Sequence, residues 1–267
     1  MPHQPIVGLF DSGFGGLTVL GPLVSRFPAL DYRFVADAGR APYGDRREDE
    51  LRAFGSEIIS FLKDQGMTHL IVACNTTCAT VLPQLMPEIE VRVWGLIEAG
   101  AQAAVQTTRN KRIAVLATVA TAGAKAYTAA INAIDPAVEV LEVACPALVP
   151  LIQADRMDSA DCKASCGDYM TKVNDFGADT VILGCSHYPY LVPLLQTFSS
   201  RPLAWVDPAP ALVDVVSQTF SPFKEPSGTP APISFFVSGS LPSFTQFVTT
   251  HRLFSDHPYT VAPYSHS

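Results

Sequence analysis

The stretch ILGCSHYPYLVPLLQ, Ile182 to Gln196, and an earlier one that echoes it, IVACNTTCATVLPQL, Ile71 to Leu85, decide how this chain folds. Each opens as a short apolar run, passes one small residue, reaches a cysteine, and continues through polar residues into a segment of helical character. A short apolar run that leads at once into a helical pattern marks a strand feeding a helix, the repeating unit of parallel sheets. Cys74 and Cys185 therefore stand at equivalent carboxyl ends of two strands, one in each half of the chain. A weaker echo links VGLFDSGFGG (7–16) with AVLATVATAG (114–123), both running from a strand into small and hydroxyl residues.

Working outward, runs rich in Val, Ile and Leu predict strands at 5–10, 32–36, 69–73, 91–95, 113–117, 138–143, 180–184, 203–206 and 233–238. Between the second and third, Leu51, Phe54, Ile58, Phe61 and Leu62 recur at helical spacing. Cys162, Cys166, Tyr169, Met170 and Val173 likewise share one helical face, which assigns those two cysteines to packing. The fold class is α/β: two similar parallel-sheet domains facing each other across a central cleft that would hold the active site. A boundary falls near residues 97–100, giving a first domain of 1–97 plus about 210–267 and a second of 98–209. The strand 233–238 returns to the first half, and SPFKEPSGTPAP (221–232) has the composition of an exposed linker.

Composition narrows the function. With 48% hydrophobic and 16% charged residues in 267, the chain has material for a large core. Its net charge of −7, with no Lys/Arg run, argues against nucleic acid or an anionic membrane as partner. No apolar stretch approaches the roughly 18 residues of a membrane helix, and MPHQPIVGLFDSG lacks the pattern of a secretory signal, so a cytoplasmic protein with free thiols is expected. Cys74/Cys78 and Cys162/Cys166 are spaced by four, without a matching Cys/His pair, so no metal site is expected. GFGG is not a dinucleotide fingerprint and there is no GKS or GKT, which leaves nucleotide cofactors unsupported.

In open α/β sheets ligands bind at the carboxyl ends of strands. Four polar clusters are expected there: Asp11-Ser12-Gly13, Pro42-Tyr43-Gly44, Cys74-Asn75-Thr76 and Cys185-Ser186-His187. A cysteine at a helix N-terminus is expected to ionise below its usual pKa of about 8.5 and so to serve as base or nucleophile. Taken singly, each of these residues also has a structural reading: the cysteines as strand-end packing, Asp11 and Ser12 as caps, Tyr43 as core, His187 as a satisfied buried imidazole. Two cysteines at equivalent positions favour chemistry. Hydrolysis by a thiol nucleophile would leave the second idle, whereas inverting a stereocentre needs an acid on one face and a base on the other.

The motifs GLFDSGFGGLTVL, DAGRAPYGDR, IVACNTTCAT, ACPALVP and GCSHYPYL, in this order, closely resemble those of the glutamate racemases of the aspartate/glutamate racemase family. Beyond about residue 210 only VSGSLPSF (237–244) resembles them, loosely. The resemblance implies a cofactor-independent isomerase that interconverts L- and D-glutamate for peptidoglycan, with no partner beyond its small substrate and a homodimer compatible with it. It implies Cys74 and Cys185 as the two acid/bases, with His187 assisting Cys185 and Asp11 also in the catalytic set. It assigns substrate binding to Asp11, Ser12, Tyr43, Gly44, Asn75, Thr76, Thr118, Thr121, Ser186 and His187. Departures from the family pattern are Ser186 for threonine, Gln153 where an acid is common, Ala99 for a frequent proline, and the Thr77-Cys78 continuation. A racemase for aspartate or another acidic substrate, or a relative serving mainly as a binding or regulatory protein, are the alternatives.

Overall fold

The computed structural model describes residues 4–223 and 230–265. Its ten strands are β1 (Ile6–Asp11), β2 (Asp31–Ala36), β3 (His69–Val72), β4 (Arg92–Trp94), β5 (Arg112–Ala117), β6 (Glu139–Ala144), β7 (Thr180–Gly184), β8 (Ala204–Val206), β9 (Ile233–Val237) and β10 (Tyr259–Pro263). They form a six-stranded sheet ordered β10-β9-β2-β1-β3-β4 and a four-stranded sheet ordered β6-β5-β7-β8, and every pairing is parallel. The order β2-β1-β3-β4 in the first sheet is the order β6-β5-β7-β8 in the second. The two sequence echoes are therefore structural equivalents, β3 with β7 and β1 with β5.

All nine strands predicted from the sequence are present within one or two residues, and the α/β class stands. The tenth, Tyr259–Pro263, was not anticipated: it is an edge strand on β9 whose side chains are only partly buried, so it lacks a continuous apolar run. β9 joins the first sheet through β2. Of the span 221–232, Ser221–Phe223 forms a short turn, while 224–229, which carry most of the expected linker, lie outside the described residues.

The helices follow from their sequences. In Glu48–Asp64, Leu51, Ile58 and Leu62 turn inward, three acids occupy the first turn, and the Arg47 N–H donates to Glu50 Oε2 at 3.2 Å, which caps the N-terminus. Ala160–Phe176 starts at Ser159, whose Oγ accepts from the Cys162 N–H, and stops at Gly177 in the left-handed region. Cys162, Cys166, Met170 and Val173 are its buried stripe, so these thiols pack. Among the described residues, no helix is long and apolar enough to cross a membrane.

Strands buried on both faces read as continuous apolar runs, and β1, β5 and β7 are almost wholly inaccessible. Gly184, the last residue of β7, is held where a side chain does not fit. A Cβ there would stand 2.9 Å from the Leu116 carbonyl oxygen and 3.1 Å from Ala117 Cβ. Backbone cannot yield as a flexible side chain can, so Gly184→Ala should destabilise the protein by about 1–3 kcal/mol and displace the adjacent Cys185. Urea unfolding together with turnover checks this; unchanged stability would show that β5 and β7 separate freely.

Candidate active site

The carboxyl ends of both sheets meet at a narrow, largely enclosed cleft. Ser12 follows β1, Tyr43 and Gly44 lie on a short turn after β2, and Cys74, Asn75 and Thr76 follow β3. From the second sheet come Thr118 after β5, Cys145 and Pro146 after β6, and Cys185, Ser186 and His187 after β7. This is the crevice where strand order reverses on each side, at β1/β3 and β5/β7, the usual ligand position in such sheets. All four polar clusters read from the sequence are brought together here. Asp11 and Thr121 stand behind the lining: both are inaccessible, and each supports a residue that reaches the cleft.

Cys74 caps the short helix Asn75–Thr80, its Sγ accepting from the Thr77 N–H at 3.5 Å. Cys185 precedes a 3-10 turn rather than an α-helix, and its Sγ lies 3.8 Å from His187 Nδ1. Hydroxyls tie the two walls together. Ser186 Oγ donates to Asp11 Oδ1 at 3.1 Å, and Thr18 Oγ1 donates to the Ser186 carbonyl at 3.0 Å. Thr118 Oγ1 is 2.9 Å from both Thr76 Oγ1 and Thr121 Oγ1.

The electrostatics correct one expectation. Neither thiol is lowered by a helix end: burial raises Cys74 and pushes Cys185 well above the usual thiol range, and the neighbouring Asp11 charge adds to both. The Thr77 N–H at Cys74 and the His187 N–H at Cys185 act the other way but are outweighed. In a site this dry the loss of water costs a thiolate more than a single short turn of backbone dipoles returns. Burial likewise raises Asp11 to about 7 against hydrogen bonds from Gly16, Gly13 and Ser186, and it lowers His187 to about 4, keeping the imidazole neutral.

Several supporting residues escaped the sequence reading. The Tyr43 hydroxyl donates to buried Asp37, which also takes Arg40 Nε at 2.6 Å and Ser238 Oγ at 2.7 Å. Tyr127 donates to Asn75 Oδ1 at 2.7 Å, orienting that amide. Asp37, Arg40 and Ser238 lie within quoted motifs, but nothing local relates residues 201 positions apart. Among the described residues lining the cleft there is no Lys or Arg, so an anionic ligand would be held by neutral donors.

Two thiols from equivalent strand ends in one buried cleft, with a carboxyl and a neutral imidazole beside them, have the layout of an α/β isomerase that works by proton transfer. Comparison with known proteins agrees. The chain belongs to the Asp/Glu/Hydantoin racemase family, whose model matches residues 25–216. It is 39% identical over 241 residues to a glutamate racemase of Gloeobacter violaceus, covering 90% of each chain. The solved structure of glutamate racemase isoform RacE1 from Bacillus anthracis matches with a TM-score of 0.89 at 28% identity, covering 98% of each chain. Glutamate racemase from Francisella tularensis, solved in complex with D-glutamate, matches with a TM-score of 0.88 at 25% identity over 99% of this chain and 98% of that one.

Because the Asp11 charge opposes both thiolates, Asp11→Asn should let Cys74 and Cys185 ionise at lower pH. The sign depends on pH: in the wild type Asp11 is charged only above about 7, so the difference opens above that value and closes below it. Site-resolved alkylation by iodoacetamide, followed by mass spectrometry, should be on the order of ten-fold faster in the variant at about pH 8.5. Coincident profiles above pH 7 would mean that the carboxylate does not reach the thiols.

Proposed function

We propose that this protein racemises glutamate by a two-base mechanism in which Cys74 and Cys185 serve opposite faces of the α-carbon. The observation that carries the reading is the presence of both cysteines, from equivalent strands of two sheets, in the lining of one cleft. In one direction the Cys185 thiolate takes the α-proton of L-glutamate, breaking the C–H bond. Cys74 then delivers its thiol proton to the opposite face, forming the new C–H bond of D-glutamate. The cysteines end with their protonation states exchanged, and the reverse reaction starts from that state. Proton exchange with solvent resets the enzyme for another turnover in the same direction.

The α-proton beside a carboxylate is a weak acid, so the developing charge must meet donors already in place. Ser12, Asn75, Thr76 and Thr118 supply hydroxyl and amide groups at the lining, whereas the Ser186 hydroxyl is committed to Asp11. Asp11 would bear on the substrate amino group and on the thiols through its charge, standing behind Ser12. Tyr43 acts through its ring, since its hydroxyl is committed to Asp37. Thr121 holds Thr118. D-glutamate so formed would supply peptidoglycan synthesis, with the enzyme acting in the cytoplasm.

The test is circular dichroism of purified protein with L- or D-glutamate, and with the two enantiomers of aspartate in parallel. Cys74→Ala and Cys185→Ala should each lose at least about 10² to 10⁴-fold in turnover, the scale of an essential proton-transfer group. Cys162→Ala, in the packing stripe, should turn over normally. Near-normal racemisation by either of the first two variants would end the two-thiol reading, and faster turnover of aspartate would move the substrate assignment.

A further inference from the structure

His187 has a polar neighbour at each ring nitrogen. Nδ1 lies 3.8 Å from Cys185 Sγ and Nε2 lies 3.4 Å from Gln153 Nε2. The ring is buried and its pKa is held near 4, so close to neutral pH it carries a single proton on one nitrogen or the other. An amide NH₂ can donate but not accept. With the amide turned so that its NH₂ faces Nε2, that nitrogen is the bare acceptor and the ring proton belongs to Nδ1.

From this geometry we infer that Gln153 is a positioning residue whose side-chain amide fixes His187 as the Nδ1–H tautomer, aiming an uncharged N–H donor at the Cys185 sulfur. The inference rests on the reading of Cys185 as an acid/base. An Nδ1–H hydrogen-bonds a thiolate and cannot take up a thiol proton, so this tautomer favours Cys185 as base. The opposite tautomer would present a bare nitrogen, accept from the S–H and hold Cys185 protonated. Gln153 thus biases which thiol begins a turnover as thiolate. Other titratable groups bearing on Cys185 are Asp11, Cys74 and Cys145, and their charges oppose its ionisation. The tautomer acts against that opposition without placing a cation in the cleft.

Space for this contact exists because residue 13 has no side chain. Gln153 ends the helix Leu148–Gln153 and reaches over Gly13; a Cβ on Gly13 would stand 2.7 Å from Gln153 Nε2 and 3.7 Å from His187 Nε2. Gly13→Ala would therefore push the flexible amide aside while keeping the backbone N–H that serves Asp11.

The tautomer can be read without turnover, from ¹⁵N NMR shifts of histidine-labelled protein, with His187 assigned by its loss in His187→Gln. Wild type should show a protonated Nδ1 and a bare Nε2. Gln153→Leu and Gly13→Ala should each move the proton toward Nε2. Gln153→Glu, which can only accept, should leave Nε2 protonated. In Gln153→Leu, kcat in the direction that uses Cys185 as base should fall on the order of ten-fold with KM little changed. The shifts of His69 and His257 report that each variant is folded. A wild-type His187 protonated at Nε2, or a tautomer indifferent to Gln153→Leu, would overturn the inference. Full racemisation by Cys185→Ala with the expected tautomer would instead overturn the two-thiol reading, which separates the two failures.

Discussion

A carboxyl group with no access to solvent must find its hydrogen bonds inside the protein, and Asp11 finds them on both walls of the cleft. One oxygen accepts from the Gly13 N–H on its own side; the other accepts from Ser186, in the loop that carries Cys185. The bond that satisfies Asp11 therefore also sets where the second thiol stands relative to the first sheet. The threonines add a second fastening, joining Thr76 beside Cys74 to Thr118 at the end of β5. Each of these groups is buried, and leaving one unpaired would cost about 1–3 kcal/mol. The cleft is held in register by the same residues to which its chemistry is proposed to belong.

The cost of that burial appears in the thiols. A cysteine that ionises reluctantly makes a strong base once it is a thiolate, and a strong base suits an α-proton as weakly acidic as that of an amino acid. Ordinary low-pKa thiolates would be easier to form and less able to take such a proton. The two sides differ in how they meet this demand. Cys74 relies on a backbone N–H and on Ser12, whereas Cys185 has an imidazole kept neutral by burial and a loop tied to Asp11. In the proposed two-thiol reaction a symmetric exchange is thus run by unequal partners.

How much of this was legible in the sequence depended on distance along the chain. β1, β3 and β7 end in polar clusters visible in the sequence, because a strand buried on both faces is apolar throughout and stops abruptly. The repeat of Cys74 and Cys185 at those ends was visible for the same reason, and the shared strand order gives it a structural basis. Tyr259–Pro263 was not visible, since an edge strand needs no continuous apolar run. Asp37 with Ser238, and Asn75 with Tyr127, were invisible because a hydrogen bond between distant residues leaves no local pattern. The raised thiol pKa values leave no mark in the sequence, because a helix N-terminus can be read there, whereas the degree of burial that outweighs it cannot.

In the proposed reaction two different groups handle the two protons. Proton NMR of each glutamate enantiomer during initial turnover in heavy water tests it most directly. If one thiol abstracts and the opposite one delivers a solvent-derived deuteron, the first-formed product carries deuterium while the remaining substrate does not, in both directions. In a closed site the abstracted proton can return only to the face it left, regenerating unlabelled substrate. Equal early deuterium in substrate and product would point to a single exchanging base and contradict the account.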